Sequence, residues 1–139
     1  MSFEVFMSCW RHEKPAGTPT EDIRAAFSSI SSDSEPDYLR LRYDTTNNCD
    51  VHVGYLANDP GQISGLVIHQ PCSDSRLWES LYKVLTLGPW SPYFPSPSPP
   101  LIVADAGNAM HFPVSMKDSL RPIRQVKSGK EIVDIIRQS

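Results

Sequence analysis

Residues 89–107 read PWSPYFPSPSPPLIVADAG, so six of the chain's thirteen prolines fall within twelve positions and an apolar run comes directly after them. The segment is either a linker between two units or an ordered piece of one fold. Flexible interdomain linkers are polar and small. This one carries Trp90, Tyr93, Phe94 and Leu101 between its prolines, residues poorly suited to water. The chain beyond Pro100 reads as one strand, one turn and one helix, too little to fold alone. The expectation is therefore a single domain over 1–139. In it, 89–100 is a proline-rich ordered loop whose prolines lower the entropy lost on ordering by restricting the unfolded chain.

A chain of 139 residues is long enough for a real core, and 40% apolar with 21% charged residues is ordinary globular composition. No apolar run approaches the roughly 20 residues that span a bilayer. The opening MSFEVFMSCWRHEK has no basic leader, long apolar stretch or small-residue cleavage site, and reads as a first strand. Cys9, Cys49 and Cys72 are odd in number with no paired spacing, which argues against a disulfide framework and suits a reducing compartment. A cytoplasmic protein with no membrane partner is expected. The net charge of −3, with thirteen basic residues spread along the chain, leaves no basic stripe for nucleic acid.

Phe3, Val5, Met7 and Cys9 alternate with Glu4, Phe6, Ser8 and Trp10, the period of a strand. Thr18-Pro19-Thr20-Glu21 has the form of a capping box, with Thr18 as N-cap, ahead of a helix presenting Ile23, Ala26, Phe27 and Ile30 on one face. YLRLRY (38–43) and VHVGYL (51–56) read as strands around the hairpin loop TTNNCD. Asp59-Pro60-Gly61 reads as a turn before a third strand, ISGLVIH (63–69). Leu77, Leu81, Val84 and Leu85 then share a helical face, capped by Ser73 or Asp74 and stopped by Gly88-Pro89. LIVADA (101–106) is a short buried strand, 113–120 one helical turn and 123–126 another extended piece. Ser128-Gly129-Lys130-Glu131 caps a C-terminal helix with an Ile132, Val133, Ile135, Ile136 stripe. Strands joined by short turns favour an antiparallel meander. The fold class is α+β: an antiparallel or mixed sheet packed by about three helices.

The sharpest local chemistry is His69-Gln70-Pro71-Cys72-Ser73-Asp74 at a strand-to-helix junction. A cysteine near a helix N-terminus, with His69 as base, is how a thiolate nucleophile is built. Beside this stands the plainer reading of Cys72 as a small half-buried residue next to a cap. No catalytic residue is assigned, and Cys72 and His69 are the pair a Cys/His-dependent hydrolase or transferase would use. His12, His52, His69 and His111 show no i, i+4 pair and no Cys-x-x-Cys companion, so no metal site and no cofactor is expected. LIVADAGNAM has neither GxGxxG nor a Walker lysine. Trp90, Tyr93 and Phe94 serve either as core or as anchors presented outward by a rigid loop, where little entropy is lost on contact.

MSFEVFMSCW…PAGTPTEDIRAAF, GLVIHQPCSDSRLWESLYKVL, YFPSPSPPLIVAD, HFPVSM and VKSGKEIVDII succeed one another in an order that resembles a group of small bacterial cytosolic proteins. That group shares an MSFDV-like start and LW-x-x-L, YFP, VAD, HFP and SG-x-E-I motifs, and is similar to immunity proteins of polymorphic or type VI toxins. The resemblance covers most of the chain except about 31–60. It departs at the Ser-Pro-Ser-Pro-Pro expansion and at His69-Gln70-Pro71, where a basic residue before proline is usual. It implies a binding protein, not an enzyme, that occludes the active site of a cognate toxin or effector domain. Asp33, Glu35, Asp37, Asp44, Asp50 and Asp59 crowd the 33–59 region and would steer a basic, nuclease-like toxin, with Trp90, Tyr93 and Phe94 as anchors. Solvated loop charge is the plainer reading of those acids. A regulatory protein-interaction module is the further alternative, and a homodimer is compatible with either.

Overall fold

The structure is a computed structural model that describes residues 3–57 and 59–138, so Met1 and Ser2 of the N-terminal motif lie outside the described residues. Strand β1 (Val5–Arg11) turns at His12 and Glu13 into the short β2 (Lys14–Pro15) and β3 (Thr18–Pro19), followed by helix α1 (Thr20–Ala26). A meander of β4 (Tyr38–Arg42), β5 (Asn48–Leu56) and β6 (Asp59–Ile68) leads to α2 (Ser75–Thr86) and β7 (Trp90–Tyr93). The chain closes with β8 (Leu101–Val103), a 3-10 helix (Ala106–His111), α3 (Val114–Ser119), β9 (Ile123–Gln125) and α4 (Gly129–Arg137). The class is α+β, with a seven-stranded antiparallel sheet and a separate parallel pair, β8 and β9.

In the main sheet β1 pairs with β6 on one side and β7 on the other, and β5 then β4 extend it beyond β6. The alternation along β1 sets its register: Val5, Met7 and Cys9 are at most 2% exposed, while Phe6 faces out. Leu39, Leu41, Cys49, Val51, Leu66 and Ile68 point the same way as Val5 and share one cluster with Ile23, Leu77, Leu81, Val84, Leu85 and Ile132 from the helices. Burying each such aliphatic side chain contributes about 1.5–3 kcal/mol. Helices α1, α2 and α4 thus cover one face of the sheet, the three the sequence leads one to expect.

Helix α2 starts where Asp74 accepts from the Arg76 amide at 2.9 Å. At α4, Ser128 Oγ accepts from the Glu131 amide at 3.3 Å, while Glu131 reaches back to the Lys127 amide rather than to Ser128. The box expected at Thr18 does not form. Thr18 belongs to β3, Pro19 stands at the cap of α1 without a side-chain bond, and Thr18 Oγ1 instead accepts from the buried Trp90 indole at 2.9 Å. Helix α1 ends at Ala26, so Ile30 is not on its face but in an extended bridge to Leu41. The turn expected at 59–61 lies earlier. Leu56 already pairs with Asp59, and Asp59–Gly61 open β6, with the Asp59 carboxylate accepting from the Gly61 amide at 2.9 Å.

The proline-rich segment begins as a strand, β7, antiparallel to β1. Beyond it, β8 is buried on both faces: Ile102 enters the main cluster, while Leu101 and Val103 join Ala109, Phe112 and Leu120 in a second one, against which Trp10 packs. Residues from both sides of the proline stretch therefore share one core. The outer edge of β4 is occupied by 29–35: the Ser31 amide donates to the Arg40 carbonyl, the Arg42 amide to the Ser29 carbonyl, and the Arg40 amide to Ser34 Oγ.

Candidate functional site

The sheet face opposite the helices is covered at its Trp10 end by the second core cluster and left open at its Phe6 end. Register places Tyr93 beside Phe6, Phe6 beside Val67, Val67 beside His52 and His52 beside Tyr38, one row crossing five strands. Phe6 is 39% and Tyr93 41% exposed, their ring centroids 6.3 Å apart. The His52 ring meets Tyr38 edge-on at 4.8 Å and His69 at 5.0 Å. Arg40 lies over the Tyr38 ring at 5.1 Å. The neighbouring Asp50 carboxylate raises the Tyr38 pKa. Beside this row Gly54 opposes Gly65 in the ladder, so the surface sinks where side chains are missing. At its other side a cleft of about 620 Å³ is lined by Phe3, Glu4, Phe6, His69, Gln70 and Pro95.

The sequence-predicted anchors divide. Tyr93 is on the open face, but Trp90 is 0% and Phe94 2% exposed, both in the main core. This corrects the outward presentation expected of them. The segment is pinned to β1 as a strand, and alternation along it turns Trp90 inward to bond Thr18 while Tyr93 turns outward. Phe6, Val67, His52 and Tyr38 escaped the sequence reading as a group. Their polar-phase positions in four alternating strands were the available signal, but only cross-strand register makes them neighbours.

The acidic residues do not form one free patch. Asp33 pairs with Arg40 at 3.2 Å and Asp50 with Arg42 at 3.4 Å. Asp44 is 3.8 Å from Arg76 and accepts from Asn47 and Thr46, bonds that hold its carboxyl well below the usual carboxylate range. Asp59 caps its own strand through Gly61. Glu35 and Asp37 are exposed, held by backbone bonds from Glu35 to Tyr38 and from Val53 to the Asp37 carbonyl.

His69 and Cys72 diverge from one another. His69 stands at the open face, with Nδ1 3.5 Å from Glu4 Oε1 and its ring against His52. Cys72 turns to the helix side, packs on the core, and its carbonyl accepts from Trp78 Nε1 at 3.1 Å. No hydrogen bond joins the two among the described residues. Among the described residues there is no group of three or more His, Cys, Asp or Glu arranged to hold a metal ion. No described helix is long and apolar enough to cross a membrane. Compared with protein-family models, curated proteins and solved structures, the chain matches none.

Proposed function

We propose that this chain is a cytoplasmic binding protein of the immunity type, which neutralises a cognate toxin or effector by covering its active site, and that the open sheet face carries the contact. One observation supports this most: the row Tyr93–Phe6–Val67–His52–Tyr38, held on a hydrogen-bonded ladder and half exposed. Aromatic groups fixed by a sheet lose little freedom on contact, so such a face suits tight binding. The neighbouring Gly54–Gly65 depression would admit a projecting side chain. The collinear motifs resembling immunity proteins supply the toxin part of the reading, and the balanced charges around Arg40, Arg42 and Arg76 favour specificity through pairing geometry more than through net attraction.

The test is affinity capture of the tagged chain from lysate of its native cell, then co-expression with whatever single partner is recovered. The expected result is a stoichiometric partner with a toxin-like domain whose growth inhibition this chain relieves. A partner that inhibits nothing turns the reading to a regulatory interaction module. Absence of any stoichiometric partner at low salt overturns it.

A further inference from the structure

All three cysteines are free, and two of them, Cys49 and Cys72, belong to or pack on the same core cluster. Cys49 sits on β5 with its side chain in the core, 3% exposed, and its Sγ is 4.0 Å from the Gln70 carbonyl oxygen. Two residues beyond Gln70, half-buried Cys72 packs on the same core cluster that contains Cys49, and it acts electrostatically on the Cys49 thiol. The backbones on both sides are fixed. Cys49 pairs with Leu41 in the ladder, and Cys72 is clamped between the Trp78 indole on its carbonyl and the Asp74 cap of α2. Cys9, 1% exposed on β1, has neither cysteine among its partners.

We propose that Cys49 and Cys72 form a dithiol–disulfide pair that closes by exchange with a low-molecular-weight disulfide such as oxidised glutathione, stapling β5 to the segment leading into α2. Cys72 reacts first because it is the one that can be reached: it lines a cleft of about 230 Å³ with Pro71, Ser73, Trp78 and Val133. Its thiolate attacks one sulfur of glutathione disulfide, forming a mixed disulfide and expelling one glutathione thiolate, which takes up the proton Cys72 lost. Cys49 then attacks Cys72 Sγ, the Cys72–glutathione bond breaks, and a second glutathione thiol leaves with the Cys49 proton. In sum two protein thiols are oxidised and one glutathione disulfide is reduced to two thiols, with no net proton change. Burial pushes the Cys49 thiol up to about 12, with the charge of Cys72 adding to the effect. Cys49 is also the less accessible of the two, so it attacks second. The closed staple spans all of β6 and constrains the unfolded chain. It closes whether or not the open face binds a partner.

The full chain is equilibrated at pH 8 across a series of reduced to oxidised glutathione ratios, quenched in acid, alkylated under denaturing conditions and digested for mass spectrometry. The expected result is a Cys49–Cys72 cross-linked peptide two hydrogens lighter than its parts, Cys9 alkylated, and a Tm higher by about 10 °C. Both Cys49→Ser and Cys72→Ser lose the cross-link, and only Cys49→Ser accumulates glutathione on Cys72. A wild-type chain that accumulates the Cys72–glutathione adduct, couples Cys72 to Cys72 of a second copy, or keeps all thiols alkylatable at every ratio overturns the proposal.

Discussion

The Gly129 amide donates to Glu79 Oε1 at 2.9 Å, and a Cβ at Gly129 would lie 2.4 Å from the Trp78 carbonyl carbon. The first turn of α4 therefore rests directly on the backbone of α2, an approach only glycine permits. Gly129→Ala must push two helices apart and is expected to lose about 2–4 kcal/mol, read by urea unfolding. Glu79→Gln, which keeps an acceptor, should lose less than Glu79→Ala. Equal losses from all three would show that helix spacing is not set here.

Thr18 and Trp90 are 72 residues apart and share a buried hydrogen bond. Thr18→Val keeps the shape but leaves the indole donor unpaired, at an expected cost of about 1–3 kcal/mol. In Trp90→Phe the same Thr18→Val change should cost much less, and a double-mutant cycle reads the difference. A coupling near zero would show that the Thr18–Trp90 bond adds nothing to stability.

The β1–β2 hairpin turns through His12 and Glu13, both in the left-handed region at φ 52° and 64°. Two non-glycine residues there carry strain of about 1–2 kcal/mol each. The His12 and Glu13 amides, donating to Nδ1 and the carbonyl of His111, hold the turn in place. Replacing His12-Glu13 with Asn-Gly is expected to stabilise the chain by about 1 kcal/mol or more. Calorimetry showing a lower Tm would mean the side chains of the turn matter more than its backbone.

His111 accepts at Nδ1, so that bond requires the neutral ring. Burial, then the nearby His12 and Arg11, lowers its pKa from the ordinary 6.5. The unfolded chain therefore takes up this proton more readily. The stabilisation from His111 is fully present above about pH 6.5 and is lost as pH falls through the folded-state value. Tm measured from pH 8 to pH 5 should fall, and the fall should be shallower in His111→Gln. An identical profile in both proteins would mean that another group sets the acid limb.

Phe6→Ser and Tyr93→Ser remove side chains that already face water, so each is expected to shift stability by less than about 1 kcal/mol. Partner affinity should drop at least tenfold, about 1.4 kcal/mol, by isothermal titration. Trp90→Ser, by contrast, should unfold the chain. Full binding retained by both surface variants would move the contact elsewhere, with the exposed Met110 and Val114 the next surface to alter.

Much of the framework is legible in local pattern. The alternation of Val5, Met7 and Cys9, the Leu77–Leu81–Val84–Leu85 face and the Ser128 cap each depend on neighbours within one or two turns. What escapes depends on distant partners. Thr18 has the chemistry of a cap, but a tryptophan from β7 claims its hydroxyl. Pro92 marks a loop in isolation, yet an edge strand tolerates proline, and pairing with Met7 makes it one. Ile30 continues a helical spacing that the chain abandons at Phe27 to bridge Leu41. The open-face row is least legible of all, because each of its residues comes from a different strand.

The cover that 29–35 lays along β4, together with the proline in the four-residue β7, has a consequence for life at high concentration. Neither outer border of the sheet offers a long run of free amides and carbonyls on which another chain could template a strand. Copies crowded together are thereby discouraged from fibrillar growth, even though each exposes an aromatic row. Whatever meets that row must do so face-on, through side chains, and not by lengthening the sheet.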